Sequence, residues 1–251
     1  MLNSKTIIIS MTSYPARIMY VGKVWFSIFR QMKKDYNCHC VLVLSETEFP
    51  NKELDLPKDL DIIIKSGLVE LVWTKTNTRS HKKLMPVLEL YPDNPILIID
   101  DDQLRPEGWL STFINDHKKW PKDILAGRIE QREVDGHFIW RNIKKNERGK
   151  IIKYGRPQNG RGGTLYPPHT FNDTEFFDES LYMKYSPTSD ESWQYFWCRQ
   201  NNIWPRATSS YPEDRHLVIQ KAQNEKALWN TNKGKYDKIL RDLIKVFDKK
   251  K

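Results

Sequence analysis

The chain of 251 residues contains only three cysteines, Cys38, Cys40 and Cys198. They form no Cys-x-x-Cys pair and no ordered series with histidines, the spacing on which structural zinc sites depend. This pattern argues against a structural zinc site and against a disulfide-stapled scaffold. We therefore expect buried, reduced thiols.

Long apolar runs are also missing. No stretch approaches the roughly 18 residues of a membrane span, and no signal peptide is visible at the start. We therefore expect a cytoplasmic site of action. Glycine is absent from the segment SMTSYPAR, residues 10–17, which follows the first predicted strand. This absence argues against a nucleotidyltransferase, because those enzymes usually carry a glycine-rich loop there.

The formal net charge is +9, yet the sequence shows neither dense basic clusters nor a recognisable nucleic-acid-binding module. We therefore predict no nucleic-acid partner. Residues 235–251 hold seven Lys and Arg against three Asp. Apolar residues there recur on one helical face, so we expect a helix docked on the domain. The basic end favours weak peripheral contact with an anionic membrane surface through Lys249, Lys250 and Lys251.

Apolar periodicity predicts alternating strands and helices in the first half. Predicted strands cover residues 6–10, 38–44, 69–73, 96–99 and 124–127. Predicted helices lie at 18–32, at 84–91 and after Pro106. This alternation indicates an α/β fold with a mostly parallel sheet flanked by helices.

The second half is more irregular. We predict a polar hairpin over residues 137–155 that turns at 146–149, a loop over 159–168 and a helix over 190–201. One domain, 1–251, is expected, with a nucleotide-binding half to about residue 129 and an acceptor half after it.

Three aspartates, Asp100, Asp101 and Asp102, follow directly on the aliphatic strand 96–99. Ligands of open parallel sheets bind outside the carboxyl ends of the strands. Adjacent carboxylates repel one another unless a cation lies among them, and their oxygens suit Mg²⁺ or Mn²⁺, which commonly bridge to phosphates. The pattern favours a metal–phosphate site; a solvated turn in which Asp102 caps a helix is the alternative.

Four ordered segments resemble one family. They are SMTSYPARI (10–18), RSHKKLMPVLELYPDNPILIIDDD (79–102), GRGGTLYPP (160–168) and SPTSDESWQYFW (186–197). Together with the Asp-x-Asp pattern they resemble bacterial GT-A-fold glycosyltransferases of capsule and lipopolysaccharide gene clusters. The resemblance spans about residues 6–200. It implies metal-dependent, inverting transfer of a hexose from a nucleotide-diphosphate sugar, first of all a UDP-sugar, to a glycan or lipid-linked acceptor.

The resemblance also assigns residues to the donor and the metal. It places Thr12, Ser13 and Arg17 near the base or phosphates, and Arg79 and Lys82 beside the diphosphate, where cations offset phosphate charge. It expects Asp100 and Asp101 near the donor, and Asp100, Asp102 and His216 around the metal.

Inversion at the anomeric carbon needs one carboxylate to take the proton of the acceptor hydroxyl. Asp190 and Glu191 open a predicted helix, where the family places its base, and the sequence does not decide between them. Asp190 is also a good helix N-cap. For the acceptor we name Gly162, Gly163, Tyr166 and Trp193, although a tight loop and core packing explain the same residues equally well.

Two other classes fit part of the pattern. A haloacid-dehalogenase-type phosphohydrolase also ends a strand in Asp-x-Asp, but a Thr or Val is normal where this chain has Leu104. A nucleotide- or carbohydrate-binding module without turnover would keep a metal site, yet it would leave the acidic pair at 190–191 unexplained.

Overall fold

The computed structural model describes residues 2–211, 217–219 and 234–248. In this part of the chain the strands are β1 (Ile7–Thr12), β2 (Cys38–Ser45), β3 (Glu70–Thr74), β4 (Ile96–Ile99), β5 (Gln103–Leu104), β6 (Leu125–Ala126), β7 (Ile129–Val134), β8 (His137–Trp140), β9 (Gly155–Pro157), β10 (Thr164–Tyr166), β11 (Arg206–Ala207) and β12 (Leu217–Val218). The α-helices are α1 (Ile18–Phe29), α2 (Lys58–Lys65), α3 (Met85–Leu90), α4 (Trp109–Lys119), α5 (Asn159–Gly162), α6 (Thr174–Phe177), α7 (Glu179–Tyr185), α8 (Asp190–Gln200) and α9 (Tyr236–Phe247). Single 3₁₀ turns cover Lys52–Asp55, Arg79–Lys83 and Lys145–Glu147.

A seven-stranded sheet forms the centre, in the order β11-β6-β10-β4-β1-β2-β3. Strands β1, β2, β3 and β4 run parallel, and β10 lies antiparallel between β4 and β6. The predicted fold class, a mostly parallel sheet flanked by helices, is confirmed. The sheet takes strands from both sides of residue 129, so it does not separate a nucleotide-binding half from an acceptor half. That functional division of the domain stays a prediction.

Both faces of the sheet are covered, which explains why its central strands are apolar throughout. Successive side chains of β1 point to opposite faces, so Ile9 joins one core with α1 and α4, and Ile8 joins the other with α3 and α8. The predicted apolar face of α1 is buried against the first core. The four aliphatic residues of β4 are fully buried. They hold the aspartates that follow at the carboxyl edge.

The predicted hairpin at 137–155 is wrong in its strand pairing, because β8 and β9 each pair with β7 and not with each other. Strands β7 and β8 are joined by Asp135 and Gly136, which have φ of 51° and 77°. Two consecutive positive φ angles match the right-handed twist of a tight hairpin. Strand β9 then pairs with the other side of β7. A turn does form at the predicted residues 146–149, as the end of the 3₁₀ turn and the two residues after it, but it does not join two paired strands.

The predicted loop at 159–168 is also wrong, because it forms α5 and then β10. Gly163 joins these two elements at φ 79°, a conformation that favours glycine. Its three glycines made the segment appear turn-rich, whereas Leu165 is fully buried between β4 and β6.

Helix α9 docks on the domain, as predicted. Leu240 and Leu243 are buried, and the ring of Phe247 packs against Trp193, Phe196 and Trp197. Lys249, Lys250 and Lys251 lie outside the described residues. None of the helices in the described part of the chain combines the length and apolarity that a bilayer crossing requires.

Candidate functional site

A cavity of about 550 Å³ opens at the carboxyl edge of β1 and β4. Parallel strands bring their carboxyl ends together at one edge, which is where such sheets bind ligands. The cavity is lined by most of the site residues predicted from the sequence, which are Thr12, Ser13, Arg17, Arg79, Lys82, Asp100, Asp101, Asp102, Asp190 and Glu191.

Arg17 bridges two of the three aspartates. Its Nη1 lies 3.0 Å from Asp101 Oδ1 and 3.0 Å from Asp102 Oδ2. The hydroxyl of Ser13 donates a hydrogen bond of 2.6 Å to Asp101. Burial raises the pKa of Asp101 to about 6, even though the charge of Arg17 acts in the opposite direction. The side chain of Arg17 therefore reduces the repulsion between the adjacent carboxylates of Asp101 and Asp102.

Lys83 neutralises the first aspartate and joins it to the acidic pair of α8. Its Nζ lies 2.6 Å from Asp100 Oδ1 and 3.1 Å from Asp190 Oδ2, and its side chain is 3% exposed. Burial alone would raise the pKa of Asp190, but Lys83 and His81 hold it below its usual value. Asp190 is therefore ionised at neutral pH. Sequence reasoning missed Lys83, because nothing local shows which of two adjacent lysines turns toward Asp100.

The other two predicted cations occupy different environments. Lys82 is buried; its Nζ forms an ion pair with Glu48 and donates a hydrogen bond of 2.9 Å to Asn77. Arg79 is exposed at the cavity, with a backbone φ of 55°. Arg79 is thus the more accessible of the two to an incoming phosphate.

Glu191 is held by two contacts that tie α8 to the neighbouring segments. Oε2 lies 2.9 Å from Arg156 Nη1, and Oε1 accepts a hydrogen bond of 2.7 Å from the backbone N–H of Asn159. Burial and the charge of Asp190 raise the pKa of Glu191 to about 7, although Arg156 lowers it. The N-cap of α8 is Ser189, so the alternative of Asp190 as the cap is wrong.

We expect the free energy of unfolding to fall as the pH rises from about 4.5 to about 7, because Glu191 binds its proton more tightly in the folded chain. The protonated Glu191 gives its full stabilisation below the pKa of the unfolded chain. This stabilisation is lost as the pH rises through the pKa of Glu191 in the folded chain. Its magnitude is at most on the order of 3 kcal/mol. Urea unfolding across this pH range should show a flatter profile for Glu191→Gln than for the wild type. Equal slopes would contradict the assignment.

The glycine-rich segment is divided between the cavity and the interior. Gly160 lines the cavity, and a Cβ there would lie 2.1 Å from Asp100 Oδ2. Gly162 and Gly163 do not line it. A Cβ on Gly162 would meet the backbone nitrogen of Arg128 at 2.3 Å, and one on Gly163 would meet Trp109 at 2.8 Å. Close packing thus explains both glycines, and their contact with an acceptor stays a prediction.

The two aromatic residues predicted to contact the acceptor are also in the core. Trp193 is fully buried and donates a hydrogen bond of 3.0 Å to the carbonyl of Phe176. Tyr166 is buried in β10 and donates one of 3.0 Å to Gln194. Neither residue lines the cavity, so core packing explains both, and their direct contact with an acceptor stays a prediction.

The carboxylates suit a hard divalent cation. Among the described residues no three His, Cys, Asp or Glu side chains converge as a complete protein-only metal site, and His216 lies outside them. Mg²⁺-type ions, however, commonly use one or two carboxylates and complete their shell with water and substrate phosphates. Asp100 and Asp102 both line the cavity, and the side chain of Asp100 is 34% exposed. The donor set therefore fits a cation that arrives with a diphosphate.

Neither a protein-family model nor a curated protein matches the sequence. Solved structures do resemble the fold. TarS of S. aureus, residues 1–349 in complex with UDP, matches with a TM-score of 0.53 and 14% identity, over 84% of this chain and 58% of that chain. A longer TarS structure matches with 0.53 and 13%, over 85% of this chain and 36% of that one. Another structure of TarS 1–349 gives 0.50 and 15%, over 84% and 58%.

This chain thus spans little more than half the length of TarS 1–349 and about a third of the longer TarS chain. TarS is a GT-A-type glycosyltransferase. At 13–15% identity the likeness concerns the path of the backbone. The chain has the α/β fold of GT-A glycosyltransferases.

Proposed function

We propose that this protein is a glycosyltransferase that moves a sugar from a nucleotide-diphosphate donor to a glycan or lipid-linked acceptor, with inversion at the anomeric carbon. The observation that carries the proposal is the cavity at the carboxyl edge of β1 and β4. There the Asp100–Asp102 cluster faces the acidic pair of α8 across Lys83. Cations in this cavity suit the leaving diphosphate of a sugar donor, and a carboxylate there suits the hydroxyl of an acceptor.

The donor diphosphate binds beside Arg17 and Arg79 in this proposal. Both residues line the cavity, and guanidinium groups pair well with phosphate oxygens. Thr12 and Ser13 border the nucleotide at the end of β1. The UDP bound to TarS 1–349 supports a uridine nucleotide as the first candidate. A hexose is the sugar that we propose to test first.

Asp100 and Asp102 would hold Mn²⁺ or Mg²⁺, while Asp101 is engaged by Ser13 and Arg17. When bound, such a cation supplies neutralisation of the charge on the leaving diphosphate. The contribution of the chain itself is to fix the carboxylates on a rigid strand and to balance their remaining charge with Arg17 and Lys83.

Asp190 is the base that we propose. It is ionised, it lines the cavity, and Lys83 holds it next to Asp100. Glu191 has its two oxygens engaged by Arg156 and by the backbone of Asn159, so we assign it to holding α5 and α8 together. Direct displacement requires one base on the acceptor side.

Lipid-linked acceptors lie at a membrane surface, and capsule and lipopolysaccharide assembly are the settings that the sequence resemblance suggests. We therefore propose peripheral contact at the inner face of the cell membrane. The basic residues Lys249, Lys250 and Lys251 come after Asp248, the residue that follows the docked helix α9.

Calorimetric titration tests the donor and the cation together. We expect UDP to bind about tenfold more tightly with Mn²⁺ than without it, and more tightly than GDP or CDP. Asp102→Asn should lose the gain from Mn²⁺, because it removes a carboxylate of the proposed metal site. Asp61→Asn is the matched control, since Asp61 pairs with Lys65 on the surface of α2. If no nucleotide binds better with Mn²⁺, the metal-dependent reading fails.

A further inference from the structure

Trp140 is a large exposed aromatic residue in the wall of the cavity. Its relative exposure is 59%, and it ends strand β8. Single exposed apolar residues are common on protein surfaces and need no explanation. The position of this one is informative, because it borders a cavity that is otherwise rich in charged and polar side chains.

The strand register places Trp140 on the acidic-pair side of the cavity. Alternation puts Trp140 on the same face of β8 as Phe138, over which the guanidinium of Arg156 lies at 5.1 Å from the ring centroid. Arg156 in turn pairs with Glu191. Trp140 also pairs across the ladder with Gln131, whose side chain accepts a hydrogen bond of 2.8 Å from Arg156. The indole thus belongs to the wall around Asp190 and Glu191, whereas Arg17 lies at the start of α1, beyond the end of β1.

Gln158 is a second feature of this wall. It lines the cavity, it is 8% exposed, and its buried Nε2 has no hydrogen-bond partner among the described residues. A buried amide donor without an acceptor is costly, so a small movement of the Gln158 side chain that brought Nε2 to a ligand oxygen in the cavity would be favoured. Gln158 directly precedes Asn159, whose backbone N–H holds Glu191. The unused donor is therefore next to the acidic pair.

We propose that Trp140 and Gln158 form the subsite for the acceptor, and that the acceptor presents a pyranose ring there. A pyranose has an apolar face of C–H groups that fits an indole, and hydroxyls at its rim that accept from an amide. Such an arrangement, one aromatic surface with a few convergent polar groups, is typical of specific ligand pockets. That the bound sugar is an acceptor rests on the proposed function. The binding of the sugar itself does not depend on turnover.

Saturation-transfer NMR with a panel of methyl pyranosides tests the subsite on the full chain, with and without UDP and Mn²⁺. The corresponding alditols serve as open-chain controls, because they carry similar hydroxyls without the ring face. We expect at least one pyranoside to bind and its alditol to bind more weakly. Trp140→Ala should weaken that binding about tenfold, and Trp140→Phe should weaken it less. Gln158→Leu should also weaken it.

Phe26→Ala is the matched control, since Phe26 is 62% exposed on α1 and does not line this cavity. It should leave pyranoside binding unchanged. All variants should bind UDP as the wild type does, which separates this subsite from the donor site. Three results would overturn the subsite: no pyranoside binding, equal binding of alditols, or unchanged binding by Trp140→Ala. If UDP fails to bind while the pyranoside binding depends on Trp140, the subsite stands and the transferase proposal falls.

Discussion

Asp190→Asn is expected to lower kcat by about 10²- to 10⁴-fold, the usual contribution of a general base. The amide keeps the size of the side chain and can still accept a hydrogen bond from Lys83, but it cannot take the proton of an acceptor hydroxyl. The affinity for UDP should change little, because Arg17 and Asp102 are untouched. Steady-state kinetics and calorimetry on the same preparation measure both quantities.

Glu191→Gln is the matched control for this prediction. The substitution alters the neighbouring side chain on the same helix, which is held by Arg156 and Asn159. We expect it to lower kcat by less than about tenfold. A larger loss for Glu191→Gln than for Asp190→Asn would move the role of base to Glu191. The anomeric configuration of the product, read by NMR, should be opposite to that of the donor, and retention would refute a single-base displacement.

Lys83→Met is expected to lower the free energy of unfolding by about 3–5 kcal/mol at pH 7, the range for removing one partner of a buried ion pair. Methionine has a similar length, so packing changes little. The loss arises because two carboxylates, Asp100 and Asp190, remain in the site without the ammonium that they share. Urea denaturation of the variant and the wild type gives the difference directly.

The double variant Lys83→Met/Asp190→Asn isolates that cause. Since it also removes one of the stranded charges, it should regain part of the stability that Lys83→Met loses. Lys65→Met serves as the surface control. The side chain of Lys65 is 72% exposed and pairs with Asp61, so its removal should cost no more than about 1 kcal/mol. Similar losses for Lys65→Met and Lys83→Met would contradict a special role for the buried bridge.

Local patterns in the sequence determined the frame of this protein. Continuous aliphatic runs predicted β1, β2 and β4, and apolar residues at helical spacing predicted α1 and α9, because these signals depend only on neighbours along the chain. The same reasoning located the edge of the site. Aspartates that follow directly on a buried strand must lie at its carboxyl end, wherever the remaining elements pack.

Only the tertiary structure decided which side chains complete the site. Lys83 meets Asp190, Arg156 meets Glu191, and Trp140 faces the cavity, because distant segments pack together. The residues of the two ion pairs are far apart in sequence, and a single Lys, Arg or Trp carries no periodic signal of what it will contact.

The structure also separated core from cavity, which the sequence could not do. Trp193 and Tyr166 have the composition of a sugar-binding surface, but α8 and β10 turn them into the interior. Which face a residue occupies depends on the register of its strand and the rotation of its helix, and packing against elements elsewhere in the chain sets both. The sequence by itself thus determined the strands and the acidic edge, and the long-range packing determined which groups meet there.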